Sequence, residues 1–242
     1  MILSVAKGDS VCTALNEIGL GVATRKGGSV LIKVNLARPP EPGHPRTDPS
    51  LLTEVIQYVA QYRARCAVVE GADGFLRQNI ESIGLGKLIQ EYRVEILDLD
   101  LEDTDCVVVD DEKHYLPKCL KDYDLRLGMP VTTKRPGMTF SNNVKLFVGA
   151  VPRRMYQDGG ARAPRPRVHD DLHKSVANIY RAVMAYAPFS LFVNSGRAML
   201  DQGQIDLDQI LVGDDALALD RFVLEQLGLE PPEYIRRLAK IG

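Results

Sequence analysis

The side chains with the most chemistry to offer are basic and widely spaced: Lys33, Arg38, Arg46, Lys134 and Lys145, with His44 among them. Ammonium and guanidinium groups donate charge-assisted hydrogen bonds. Several of them converging on one point hold a carboxylate or phosphate, or offset negative charge as it develops. Histidine titrates near neutral pH, which makes His44 and His173 the candidates for proton transfer. Asp215 is a candidate to orient such a base, and it is equally suited to cap the helix that follows it. No Ser-His-Asp order, nucleophile elbow or nucleotide fingerprint accompanies these residues, so the reaction type stays open.

The elements that must position them start with an apolar run at residues 29–34, bounded by Gly27-Gly28 and Asn35, which reads as a buried strand. Thr47-Asp48-Pro49 then begins a helix, with Asp48 as cap, Pro49 at the first helical position, and Leu52, Val55, Ile56 and Val59 at helical spacing. Between strand and helix lies a Pro-rich stretch carrying Arg38, His44 and Arg46. Strand–helix loops are usually about 2–6 residues, so a longer one points to binding. The carboxyl end of a parallel strand is where α/β proteins place ligands.

Further strands are expected at 66–70, 94–97, 124–131, 190–193 and 209–212, alternating with helices at 78–92, 169–186, 216–227 and 231–240. That rhythm predicts an α/β fold with a mostly parallel central sheet and helices on both faces. Two short apolar runs flanking Asp110-Asp111-Glu112-Lys113 predict an acidic hairpin at one edge. Residues 140–150 read as a short buried helix, in which Lys145 must reach water or meet an anion. Residues 152–168 form a long aperiodic loop rich in arginine, including Arg153, Arg154, Arg162, Arg165 and Arg167. Such a loop is a lid, a binding segment or a docking site for a protein partner. With no repeat or convincing linker, residues 1–242 are expected to form a single domain.

Composition excludes several classes. The net charge of −2 and the near absence of aromatics around the Arg-rich loop argue against nucleic-acid binding. No apolar run approaches the ~20 residues needed to span a bilayer, and no signal peptide is evident at Met1, so a cytoplasmic protein without membrane contact is expected. Cys12, Cys66, Cys106 and Cys119 are scattered without a C-x-x-C pair, which supports neither an iron–sulfur cluster, a structural zinc nor a disulfide framework. The turn Gly71-Ala72-Asp73-Gly74 lacks both the Rossmann and the Walker spacing. His169 and His173 stand four residues apart, but HDDLH lacks the glutamate of H-E-x-x-H, so no metal site is assigned. No cofactor is indicated.

Taken in order, VLIKVNL at 30–36, TDPSLL at 47–52, VVEGADG at 68–74, IGLGKLIQEYRVEILDLD at 83–100, VKLFVGAVP at 144–152 and ILVGDDALALDRFVLEQLGL at 210–229 resemble the family catalogued as domain of unknown function 362. The resemblance implies an α/β fold and carries over Lys33, Asn35, Asp48, Glu70, Gly71, Lys145, Gly149, His173, Asp215 and Asp220. It adds Asn35 and Glu70 to the ligand-binding candidates. Many members carry ferredoxin-like modules, for which this chain has no cysteine pattern. It departs from the family where PVTTKRP replaces a PKLKTH-like stretch and at Asn194-Ser195-Gly196. The reading that emerges is an enzyme acting on a small anionic metabolite, with a non-catalytic accessory or ligand-binding subunit as the alternative and nucleic-acid binding third.

Overall fold

The computed structural model describes residues 1–6, 8–20, 27–39, 41, 45–135, 138–157, 166–201 and 203–240. Its strands are β1 (Ile2–Ala6), β2 (Ser29–Lys33), β3 (Arg65–Glu70), β4 (Glu95–Asp98), β5 (Thr104–Val109), β6 (Glu112–Pro117), β7 (Leu125–Gly128), β8 (Thr132–Arg135), β9 (Met138–Ser141), β10 (Leu191–Asn194), β11 (Arg197–Leu200), β12 (Gly203–Asp206) and β13 (Gln209–Gly213). A seven-stranded sheet runs in the order β1-β13-β10-β7-β2-β3-β4. β10, β7, β2, β3 and β4 are mutually parallel, and β13 and β1 extend the sheet antiparallel at one side.

Two layers of helices cover this sheet, because successive side chains of a strand face opposite ways. Val30 and Ile32 of β2 face one core, with α1 (Cys12–Glu17), α2 (Pro49–Gln61), α3 (Leu76–Ser82) and α4 (Gly86–Glu91). Leu31 faces the other, with α5 (Asn143–Leu146), α6 (Pro166–His169), α7 (Leu172–Tyr186), α8 (Ala216–Gln226) and α9 (Glu233–Ala239). Asp48 caps α2 as its sequence predicts, accepting from the amides of Ser50 (2.9 Å) and Leu51 (3.3 Å). The helical pattern at 78–92, which Gly84 and Gly86 interrupt in the sequence, forms two helices, α3 and α4, and Gly84 between them takes φ +83°, open to glycine and strained for other residues.

The acidic hairpin forms, yet among the described residues β5 and β6 pair only with each other and pack on α7 instead of extending the large sheet. A second small sheet, β12-β11-β8-β9, stands beside the exits of β7 and β10. It was not expected from the sequence, because its strands are four residues each and β8 reads TTKR, too short and polar to declare a period. Residues 158–165 of the Arg-rich loop lie outside the described residues.

Candidate functional site

Strand order places the site. From β2 the chain steps to β3 and β4 on one side, then returns to lay β7 and β10 on the other. The loops leaving β2 and β7 therefore part in opposite directions and open a crevice at their carboxyl ends, where α/β sheets bind ligands. A cavity of ≈ 340 Å³ occupies that crevice. Asn35, Arg38 and Arg46 line it from the segment after β2, Glu70 from the end of β3, and Val131 and Thr133 from the segment after β7. Ser141, Asn142, Lys145 and Gly149 close it from the limb running through α5, with Arg153 and His169 at its margin. Thr47 ties the two loops together at their base: its hydroxyl accepts from the Asn35 amide (2.8 Å) and donates to the Met129 carbonyl (2.8 Å).

Beneath the cavity lies a buried ion pair. Lys33 shares the face of Leu31 and is fully inaccessible, and its ammonium donates to Glu70 Oε1 (2.7 Å) and to the Val34 carbonyl (2.9 Å). Glu70 also accepts from the amides of Gly71 (2.9 Å) and Leu36 (3.2 Å). Burial pushes the Glu70 carboxyl above its ordinary range, while Lys33 and the two amides pull it back. Gly149 passes so close that a Cβ there would lie 2.3 Å from Glu70 Oε1 and 2.9 Å from Lys33 Nζ. Lys33, Glu70, Gly71 and Gly149 are thus one contact group, although they lie in three separate sequence blocks.

The limb that carries Asn142 and Lys145 is held by Asp220 of α8. This carboxylate is buried and accepts from the amide of Asn143 (2.8 Å), its side-chain Nδ2 (2.9 Å) and the amide of Val144 (3.1 Å). Asn143 and Asn194 exchange side-chain hydrogen bonds of 3.1 Å in each direction. Burial raises the Asp220 carboxyl from an ordinary 3.8 to about 7, against the pull of those donors. Between those values the folded protein keeps a proton that the unfolded chain has lost, so this group lowers stability as pH rises across that window. The advantage of wild type over Asp220→Asn should therefore shrink from about pH 4 to about pH 7 in urea unfolding. A difference that stays constant would contradict this account of Asp220.

The other expected residues are dispersed. Lys134 is partly exposed and pairs with Asp201, outside the cavity, although its neighbour Thr133 lines it. Asp215 is the exposed N-cap of α8, accepting from the amides of Leu217 (2.8 Å) and Ala218 (2.9 Å), and does not line the cavity. His44 lies outside the described residues. His173 stacks on Tyr234, with ring centroids 6.0 Å apart, away from the cavity. His169 is on a different helix from His173, since Asp171 caps α7 between them, and it reaches the cavity where His173 does not.

Ser141, Asn142 and His169 line the cavity without having been among the expected site residues. Asn142 and Ser141 belong to an S-N-N run that reads as a polar helix start, and only the placement of α5 turns them inward. Arg153 and Arg154 leave the Arg-rich segment for the acidic turn. Arg153 Nε lies 3.4 Å from Asp73 and 3.5 Å from Asp100, and Arg154 bonds the Asp100 and Glu102 carbonyls. The glycine-rich turn is also committed. Its amides at Ala72 and Gly74 donate to Asp98, and that of Asp73 donates to Asp100, so carboxylates of the chain stand where a phosphate loop would hold its ligand. Among the described residues no group of three His, Cys, Asp or Glu side chains is arranged to hold a metal, and no helix is long and apolar enough to cross a membrane.

The lactate racemase apoprotein from Thermoanaerobacterium thermosaccharolyticum has a similar fold, with a TM-score of 0.54 at 14% sequence identity over 85% of this chain. The match takes in 51% of that structure, so this chain spans about half its length. No curated protein matches the chain in sequence. The family model for the domain of unknown function DUF362 matches residues 30–225, which take in the crevice, the ion pair beneath it and the limb that closes it, and the chain belongs to that family.

Proposed function

We propose that the crevice binds a small anionic metabolite bearing a carboxylate or phosphate, and that the protein is an enzyme acting on it. The observation that carries this reading is Asn142. Its residue is 1% exposed, it lines the cavity, and neither polar atom of its amide has a hydrogen-bond partner among the described residues. A buried amide left unpaired costs about 1–3 kcal/mol, which a bound ligand would recover. The charge around it sets the sign of that ligand. Arg38, Arg46 and Lys145 line the cavity, and Arg38 and Arg46 make no ion pair among the described residues, while its acid, Glu70, is matched by Lys33 and Arg153 is matched by Asp73 and Asp100. The surplus is cationic, which selects an anion. His169 is the lining side chain placed to move a proton. The similar fold of a lactate racemase, whose named substrate is a small carboxylate, is consistent with this choice.

The test is thermal unfolding of the purified protein against inorganic phosphate, small carboxylates and phosphate monoesters. A ligand at 100 times its Kd adds about 2.7 kcal/mol, or roughly 5–10 °C for a chain of this size. Asn142→Ala and Lys145→Ala should each lose most of that shift. An undiminished shift in both would remove the crevice from the reading. Stabilising ligands are then incubated in heavy water and followed by proton NMR for conversion or exchange.

The second reading is a binding subunit without chemistry. It is favoured by the wall after β7, where Val131 and Thr133 face the cavity and Lys134 turns away to Asp201. Neither Val131 nor Thr133 titrates near neutral pH. Binding without conversion or exchange would decide for it.

A further inference from the structure

The floor of the cavity carries an acceptor as well as a charge pattern. A carboxylate offers about four acceptor positions, and Glu70 spends two at Oε1, on Lys33 and Gly71, and one at Oε2, on Leu36. The remaining position belongs to Oε2 of a residue that lines the cavity. The charge of Glu70 is already answered by Lys33 at 2.7 Å, so the floor has no need of a second cation. A neutral hydrogen-bond donor can take the open position. Asn142, on the opposing limb, offers one donor pair and one acceptor without partners among the described residues.

We infer that the metabolite carries a hydroxyl group beside its anionic group, the hydroxyl donating to Glu70 while Arg38, Arg46 and Lys145 hold the anion. This rests on the anion reading of the same crevice and narrows it to hydroxylated carboxylates or phosphate esters. A hydroxyl fits better than an amine, because an ammonium would bring unmatched positive charge beside Lys33 and the arginines. It fits better than an apolar group, because a methylene against Glu70 would deny Oε2 any partner but Leu36.

The experiment compares ligands that differ only by hydroxyls on the wild-type protein by titration calorimetry: glycolate against acetate, glycerate against propionate, and glycerol 3-phosphate against propyl phosphate. At least one hydroxylated member should bind about tenfold or more tightly than its deoxy partner, the size of an unmade hydrogen bond to a charged group. Equal affinity within every binding pair would overturn the inference and leave the anion reading standing. Failure of all six to bind would overturn both. Glu70→Gln provides the second arm. Where that variant folds, the ratio of affinities within each pair should fall toward one, whatever the change in its absolute affinity for the anion. A retained preference would assign the discrimination to another group and sink the role of Glu70.

Discussion

Lys33→Met should destabilise the protein by about 3–5 kcal/mol, the cost of breaking a buried ion pair from one side. The size follows from what is left behind. Glu70 is 2% exposed and would be left either charged, answered among the described residues by the amides of Gly71 and Leu36, or forced to take up a proton. Methionine nearly matches the lysine stem in shape, so packing changes little and the loss reports on charge. For a chain of this length the midpoint should fall by roughly 6–20 °C. Lys33→Met with Glu70→Gln should recover at least half of the loss, since the glutamine carbonyl still accepts from Leu36 and no bare charge remains. Additive losses in the double variant would mean that the two side chains do not act as a pair.

Gly149→Ala should be nearly as costly, about 3 kcal/mol, at the upper end of what overpacking a filled site costs. The added Cβ would meet Glu70 Oε1 at 2.3 Å and Lys33 Nζ at 2.9 Å, and those two groups are held to each other and to backbone. The only relief is to lift residues 147–150 off the sheet, and the same limb carries Lys145 into the cavity, so ligand-induced stabilisation should fall with stability. Gly86→Ala is the control. Its Cβ would approach Glu81 Cγ at 3.2 Å, but Glu81 is exposed and can swing aside. At the start of α4 it should leave the midpoint unchanged or slightly raised. Equal losses at both glycines in chemical unfolding would refute the close-contact account of Gly149.

The parts of the fold that were legible in the sequence are those whose cause is local. β2 and α2 announced themselves through an apolar run, a capping aspartate and a proline at the first helical position, all within neighbouring residues. The site was legible as a place, the segment after β2, more than as a set of side chains. Lys33 looked like a donor at a strand end, because nothing near it in sequence reveals that Glu70 and Gly149 enclose it. Lys134 looked equally available until the chain, 67 residues later, supplied Asp201. His169 and His173 share a face only if one helix runs through both, and Asp171 ends that possibility by capping α7. Asn142 carried no periodic signal at all, and its burial depends on Asp220, far along the chain, fixing the start of α5.

The central claim is that the crevice between the loops after β2 and β7 is an anion site. A crystal of the protein soaked with its most stabilising carboxylate or phosphate ester tests it most directly. The account predicts density for the anionic group among Lys145, Arg38 and Arg46, with a polar atom of the ligand against the Asn142 amide. Density for the ligand elsewhere on the molecule, with the crevice holding only solvent, would contradict it.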